Sequence, residues 1–224
     1  MTHIIIVAAG KGSRFGGDLP KQFSLLGERP VLMHTVIRLG RALPHASIAI
    51  VLNEQYVSFW EKMCEQFGFV SPRVITGGDT RWESVKHAID AIQPADDDIV
   101  MIHDGVRPVV KSEMMQRIMD AMLSADAAIP AIPVTDSLRQ VNADGTSVSV
   151  DRSTLMAVQT PQAFRGAHIR KAYQLPFTSA FTDDASVYEA AGFGSPKLVE
   201  GSPLNIKITH PRDLEVAALF LGIR

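Results

Sequence analysis

A single cysteine, Cys64, stands in the 224-residue chain. One thiol builds neither a disulfide framework nor a zinc cluster within one chain, and such sparing use suits a reducing compartment, so a cytoplasmic protein is expected. Long apolar runs are lacking as well. The stretch IIIVAAG, Ile4 to Gly10, spans seven residues. That is too few for a membrane span, or for a signal core with its cleavage site, so no membrane association is expected. Surplus charge is the third absence: 22 basic against 24 acidic side chains leave a formal net charge of −2. No global basic field exists to draw nucleic acid, and any anion has to be bound locally. Repeats, low-complexity tracts and long linkers are absent too, so residues 1–224 are expected to form one domain.

What is present is a rhythm of short β-branched runs separated by amphipathic stretches, the pattern of a mostly parallel sheet flanked by helices. Strands are predicted at HIIIVAA (3–9), SIAIVLN (47–53), RVITG (73–77), DIVMIHD (98–104), AAIPAIPV (127–134) and KLVEG (197–201). Helices are predicted to begin near Pro30, Glu54, Thr80, Ser112, Gly166, Asp183 and Pro211. Proline suits a first helical turn, where its missing N–H would be unpaired anyway. The expected fold class is α/β and Rossmann-like.

SLRQVNADGTSVSVDR (137–152) breaks this rhythm by alternating polar and apolar residues around Asp144-Gly145, a pair suited to the positive φ values of a tight hairpin. A two-stranded ribbon is marginal alone in water. The arm, about 137–156, is therefore expected to pack against something. A symmetric partner subunit is the preferred candidate, and an edge of the chain's own sheet is the alternative.

The loop after the first strand, AAGKGSRFGGDLPKQF (8–23), is where an open α/β sheet usually meets a phosphate. The Walker spacing fails at Lys11 and Ser13. The dinucleotide fingerprint fails at Phe15, which stands where its third glycine belongs, and no acidic residue follows at the required distance. What remains are Gly10 and Gly12, which let backbone N–H groups approach an anion, and three cations, Lys11, Arg14 and Lys21. Three cations in so short a stretch point to a triphosphate.

The same loop resembles the signature of nucleotidyltransferases that activate sugar or polyol phosphates, in particular the 2-C-methyl-D-erythritol 4-phosphate cytidylyltransferase family of the non-mevalonate isoprenoid route. Further segments resemble that family in order along the chain: TGGDTRWESV (76–85), HDGVRP (103–108), IPVTDS (132–137), VDRSTLMAVQTPQAF (150–164), TDDAS (182–186) and LVEGSPLNIKIT (198–209). The resemblance implies a nucleotidyltransferase fold and transfer of CMP from CTP to a polyol phosphate, with release of pyrophosphate. It implies a homodimer that brings the arm of one subunit over the site of the other. Arg14, Lys21 and Lys207 are implied as the catalytic cations. Ala8, Ala9, Gly10, Gly12, Ser13, Gly78, Asp79 and Ser84 are implied around the nucleotide, with Arg81 ordering the segment. Asp104 is implied beside a magnesium ion, and Asp104, Arg107, Asp136, Arg152 and Thr160 on the side of the second substrate. His103 suits a packed position rather than a magnesium ligand, because magnesium prefers oxygen. Trp82 has the helical spacing of a packing residue, with base stacking as the other reading.

Two positions depart from the family pattern: Ser137 stands for a common threonine and Gly105 for a usual alanine. Three alternatives remain open on the sequence: a ribitol 5-phosphate cytidylyltransferase, a dinucleotide-binding oxidoreductase and a noncatalytic nucleotide-binding module.

Overall fold

The structure, a computed structural model, describes residues 1–10 and 19–223. β1 (Thr2–Val7) is followed by the small β2/β3 ribbon (Leu25–Leu26, Arg29–Pro30), α1 (Val31–Ala42), β4 (Ser47–Leu52), α2 (Val57–Phe67) and β5 (Arg73–Thr76). Next come α3 (Arg81–Ile92), β6 (Ile99–Asp104), α4 (Ser112–Ala121) and β7 (Ala127–Pro133). The hairpin β8/β9 (Leu138–Val141, Ser147–Val150) leads to β10 (Met156–Val158) and β11 (Gln162–Arg165). The chain closes with α5 (Gly166–Ala172), α6 (Asp184–Ala190), β12 (Lys197–Glu200) and α7 (Arg212–Leu221).

β5, β4, β1 and β6 lie side by side and parallel; β11 follows antiparallel to β6 and β7, and β12 runs parallel to β7. β10 continues the line of β11 along β7, pairing Met156–Val158 with Ala131–Pro133. Pro130 sits opposite the break between β10 and β11. It accepts from the Gln159 N–H at 2.8 Å, and the return bond of that pair is the one that proline, having no N–H, does not make.

The strands are apolar at successive positions because both faces are covered. Ile4 and Ile6 pack with α1, α2 and α4 on one face, while Ile5 packs with α3, α5 and α6 on the other. All three isoleucines are fully buried, each contributing roughly 1.5–3 kcal/mol. α7 closes a third cluster with Leu26, Val31, Val106 and Ile208. Among the described residues, no helix is long and apolar enough to cross a membrane.

The chain moves outward from β1 to β4 and β5, then returns through α3 to β6 on the other side of β1. The strand order therefore reverses between β1 and β6, and a crevice opens beyond their carboxyl ends.

The arm is a separate two-stranded sheet, and among the described residues no strand of the main sheet is bonded to it. Its turn differs from the expected one. Only Gly145 takes positive φ, at +83°, because Asn142–Gly145 form a four-residue turn closed by Gly145 N–H to Asn142 O at 3.0 Å, and the glycine alone occupies the left-handed position before Thr146. The main sheet takes over again at Met156, which pairs with Pro133.

Candidate active site

β1 and β6 are in register from Thr2 opposite Ile99 to Val7 opposite Asp104, so the chain leaves both strands at one level. The Gly105 N–H donates to Val7 O at 2.9 Å. A Cβ at Gly105 would lie 2.9 Å from the Ala8 Cβ, so glycine here permits β6 to end close against β1.

The opposite wall is the start of α3. Thr80 and Glu83 form a reciprocal capping box, with Glu83 N–H donating to Thr80 Oγ1 at 3.1 Å and Thr80 N–H donating to the Glu83 carboxylate at 2.8 Å. Ser84 Oγ accepts from the Gly78 N–H at 3.2 Å and donates to Thr80 O at 2.9 Å. A Cβ at Gly77 would stand 2.7 Å from Ser84 Oγ and 2.8 Å from the Ala9 Cβ. The glycine pair therefore lets this turn lie against the end of β1.

Between these walls is a cleft of about 270 Å³, lined by Val7 to Gly10, Lys21, Gln22, Gly78 to Arg81, Ser84, Asp104, Val106 and Lys207. Lys21 Nζ donates to Ile208 O at 2.8 Å, which brings it beside the segment that carries Lys207.

Asp104 is the electrostatic centre. Its Oδ2 pairs with Lys207 Nζ at 3.0 Å and with Arg107 Nε at 3.1 Å, and Arg81 Nε lies 3.8 Å from Oδ1. Burial alone would raise the pKa of this carboxyl, but the charges of Arg81, Lys207 and Arg107 outweigh it and hold Asp104 well below the ordinary carboxylate range. Arg81 is itself gripped from behind by Asp184, through bonds of 2.8 and 2.6 Å. Tyr173 donates its hydroxyl to the same carboxylate at 2.5 Å. Burial, and then the Asp184 charge, raise the Tyr173 pKa, so the phenol keeps its proton.

Behind Asp104 lies a fully buried His103, which burial pushes down to about 4 and keeps neutral. Its Nε2 faces Arg107 O at 3.1 Å and must carry the proton, which leaves Nδ1 to accept from the Thr160 hydroxyl at 3.1 Å. That hydroxyl in turn accepts from the Asp104 N–H at 3.1 Å. This network fixes the peptide that presents Asp104.

Ten of the residues implied by the sequence line this one cleft: Ala8, Ala9, Gly10, Lys21, Gly78, Asp79, Arg81, Ser84, Asp104 and Lys207. Arg107 sits beside them, bonded to Asp104 and, at 2.8 Å, to Asn205 O. Thr160 is buried behind the wall. Asp136 and Arg152 are exposed at the base of the arm, where Arg152 donates to Thr135 O, and they do not line the cleft. Gly12, Ser13 and Arg14 lie outside the described residues. Trp82 stacks on Tyr173 with ring centroids 5.7 Å apart and is a packing residue. Gln22, Asp184 and Tyr173 were not singled out by the sequence, and Thr80 only as the start of a helix. Gln22 and Asp184 do fall in the family-like segments ending KQF and reading TDDAS, whereas Tyr173 carries no local signal.

Among the described residues, no group of three or more His, Cys, Asp or Glu side chains gathers as a metal site. The cleft instead offers one buried carboxylate, with Oδ1 less engaged than Oδ2. One carboxylate completed by phosphate oxygens is a donor set that suits magnesium, so the residues fit that ion.

Residues 2–222 match the family described as IspD: 2-C-methyl-D-erythritol 4-phosphate cytidylyltransferase. A 2-C-methyl-D-erythritol 4-phosphate cytidylyltransferase of Porphyromonas gingivalis is 44% identical over 222 residues, covering 98% of this chain and 97% of the relative. One from Bacteroides thetaiotaomicron is 42% identical over 219 residues, covering 97% and 98%. Among solved structures, a 4-diphosphocytidyl-2C-methyl-D-erythritol synthase superposes with a TM-score of 0.81 at 30% identity, covering 98% of both chains. The Francisella tularensis 2-C-methyl-D-erythritol 4-phosphate cytidylyltransferase superposes with a TM-score of 0.80 at 29% identity, covering 98% of this chain and 99% of its own. With cleft, fold and sequence in agreement over nearly its whole length, the chain belongs to the 2-C-methyl-D-erythritol 4-phosphate cytidylyltransferase (IspD) family.

Proposed function

We infer that the chain joins the phosphate of 2-C-methyl-D-erythritol 4-phosphate to the α-phosphorus of CTP, a step of isoprenoid precursor biosynthesis. A phosphate oxygen forms the new P–O bond, the bond between the α-phosphorus and its bridging oxygen breaks, and pyrophosphate leaves. The observation that carries this reading is the switch-point cleft, lined by Lys21, in which Lys207, Arg107 and Arg81 meet one buried carboxylate. A phosphate monoester with its second pKa near about 6 is already ionised at neutral pH and needs no general base. What the reaction needs is cancellation of charge as two anions meet, and preorganised cations supply it.

Lys21, Lys207 and Arg14 are assigned to the phosphates and the transition state. The backbone of Ala8 to Gly10 and the Gly78–Ser84 segment are assigned to the nucleotide, with Gly12 and Ser13 completing its loop. Magnesium would be held by Asp104 together with CTP, and it would neutralise phosphate charge. Arg152 and Asp136 are assigned to the second substrate from across a homodimer, because they do not reach the cleft of their own chain. Support for the dimer comes from the arm, where Val141 is 70% exposed and Val148 52% exposed, on a ribbon too small to be stable alone. Thr160 acts through its hold on Asp104. The chain is read as one domain in the cytoplasm, a reading supported by its single free cysteine.

The test is pyrophosphate release from CTP and magnesium with methylerythritol phosphate or ribitol 5-phosphate. Release with the first substrate, falling about 10²–10³-fold in Lys21→Ala, is the expected result. Release with ribitol phosphate alone would move the protein to another pathway, and release with neither would leave a binding module.

A further inference from the structure

One side chain touches both stretches from which the near wall of the cleft is built. Gln22 lies in the 3-10 turn Lys21–Phe23 and is 2% exposed. Its Nε2 donates to Ala8 O at 2.7 Å and to Gly10 O at 3.1 Å. A carboxamide nitrogen has two donors, so it can serve both carbonyls. These carbonyls lie past the end of the β1 ladder, which stops at Val7. Among the described residues, no other donor reaches them.

We propose that Gln22 is a positioning residue for the nucleotide, holding the Ala8–Gly10 backbone and Lys21 at a fixed spacing. In a trans peptide the carbonyl and the following N–H point in opposite directions. Holding Ala8 O on Gln22 therefore turns the Ala9 N–H away from it and fixes the peptide plane on the cleft wall. The adjacent Lys21 bonds Ile208 O at 2.8 Å, so the same turn also registers the strand end against the segment that carries Lys207. The inference rests on CTP being the ligand of this cleft.

The test measures CTP affinity by calorimetry, and KM for each substrate, in wild type, Gln22→Met and Gln22→Glu. Ser71→Ala serves as a control that removes the 2.8 Å partner of Trp60 outside the cleft. Gln22→Met is expected to weaken CTP binding and raise its KM about tenfold while leaving KM for the polyol phosphate unchanged. Ser71→Ala is expected to lower stability without moving either KM. Gln22→Glu faces two carbonyl oxygens with a carboxylate. It is expected to regain CTP affinity relative to wild type as the pH falls, because the protonated acid can donate one bond. That comparison within one protein decides the matter even where Gln22→Met fails to fold. Wild-type affinity in both variants would overturn the inference, whatever their melting temperatures, and a wild type that does not bind CTP would overturn the functional reading itself.

Discussion

Asp104 carries an unusual load for one side chain: three cations meet it, and its peptide is fixed by a buried neutral imidazole. The imidazole makes the arrangement sensitive to acid. An unfolded chain takes up a proton at His103 below about 6.5, whereas the folded protein does so only near about 4. In that window the unfolded state binds more protons, so stability falls as the pH drops from about 6.5 to about 4. His103→Gln keeps a donor for Arg107 O and an acceptor for Thr160 but does not titrate. Its urea midpoint is expected to change less between pH 7 and pH 4.5 than that of wild type, with a residual slope in the same direction from His34, which burial also pushes down. Equal slopes would show that His103 does not control acid stability. The residue type was legible from the motif HDGVRP, but its protonation state was not, because burial sets it.

At the scale of elements, α3 matters most, since its first turn is also the wall of the cleft. Thr80→Ala removes the cap oxygen bonded to the Glu83 N–H, and a loss of about 1 kcal/mol is expected. It should appear as a lowered melting temperature together with a raised KM for CTP, because Ser84 and Gly78 hang on the same turn. A KM unchanged alongside the lowered melting temperature would separate the cap from the site. The start of this helix was legible in TGGDTRWES because a cap is a local device. β10 and β11 were not predicted as strands, since each is only three or four residues long and they are separated by Gln159, Thr160 and Pro161. Gln159, Thr160 and Gln162 are buried, and their polar groups are satisfied by Ser202, His103 and Asp183, which are distant in sequence.

For the whole molecule the arm decides most. With Val141 and Val148 exposed on a free-standing ribbon, the double substitution Val141→Glu, Val148→Glu is expected to convert the proposed dimer to monomer. Sedimentation would show the change, the circular dichroism of the main sheet would stay as it was, and turnover would fall at least about tenfold as the arm's Arg152 is withdrawn. A wild type that sediments as a monomer at full activity would remove the arm from the mechanism.

The sequence by itself determined the six sheet strands with continuous apolar runs and the starts of the helices, because periodicity, caps and turn chemistry act within a few residues. Through ordered segments that resemble a family, it also pointed to one carboxylate, Asp104, and two lysines, Lys21 and Lys207, that line a single cleft. Only the tertiary structure decided that Asp104 is shared among Arg81, Arg107 and Lys207, that Asp184 and Tyr173 stand behind Arg81, and that Gln22 joins the two stretches of the near wall. The physical reason is distance along the chain: Arg81 and Asp184 are 103 residues apart, and no local pattern encodes a contact that only the reversal of strand order between β1 and β6 brings about.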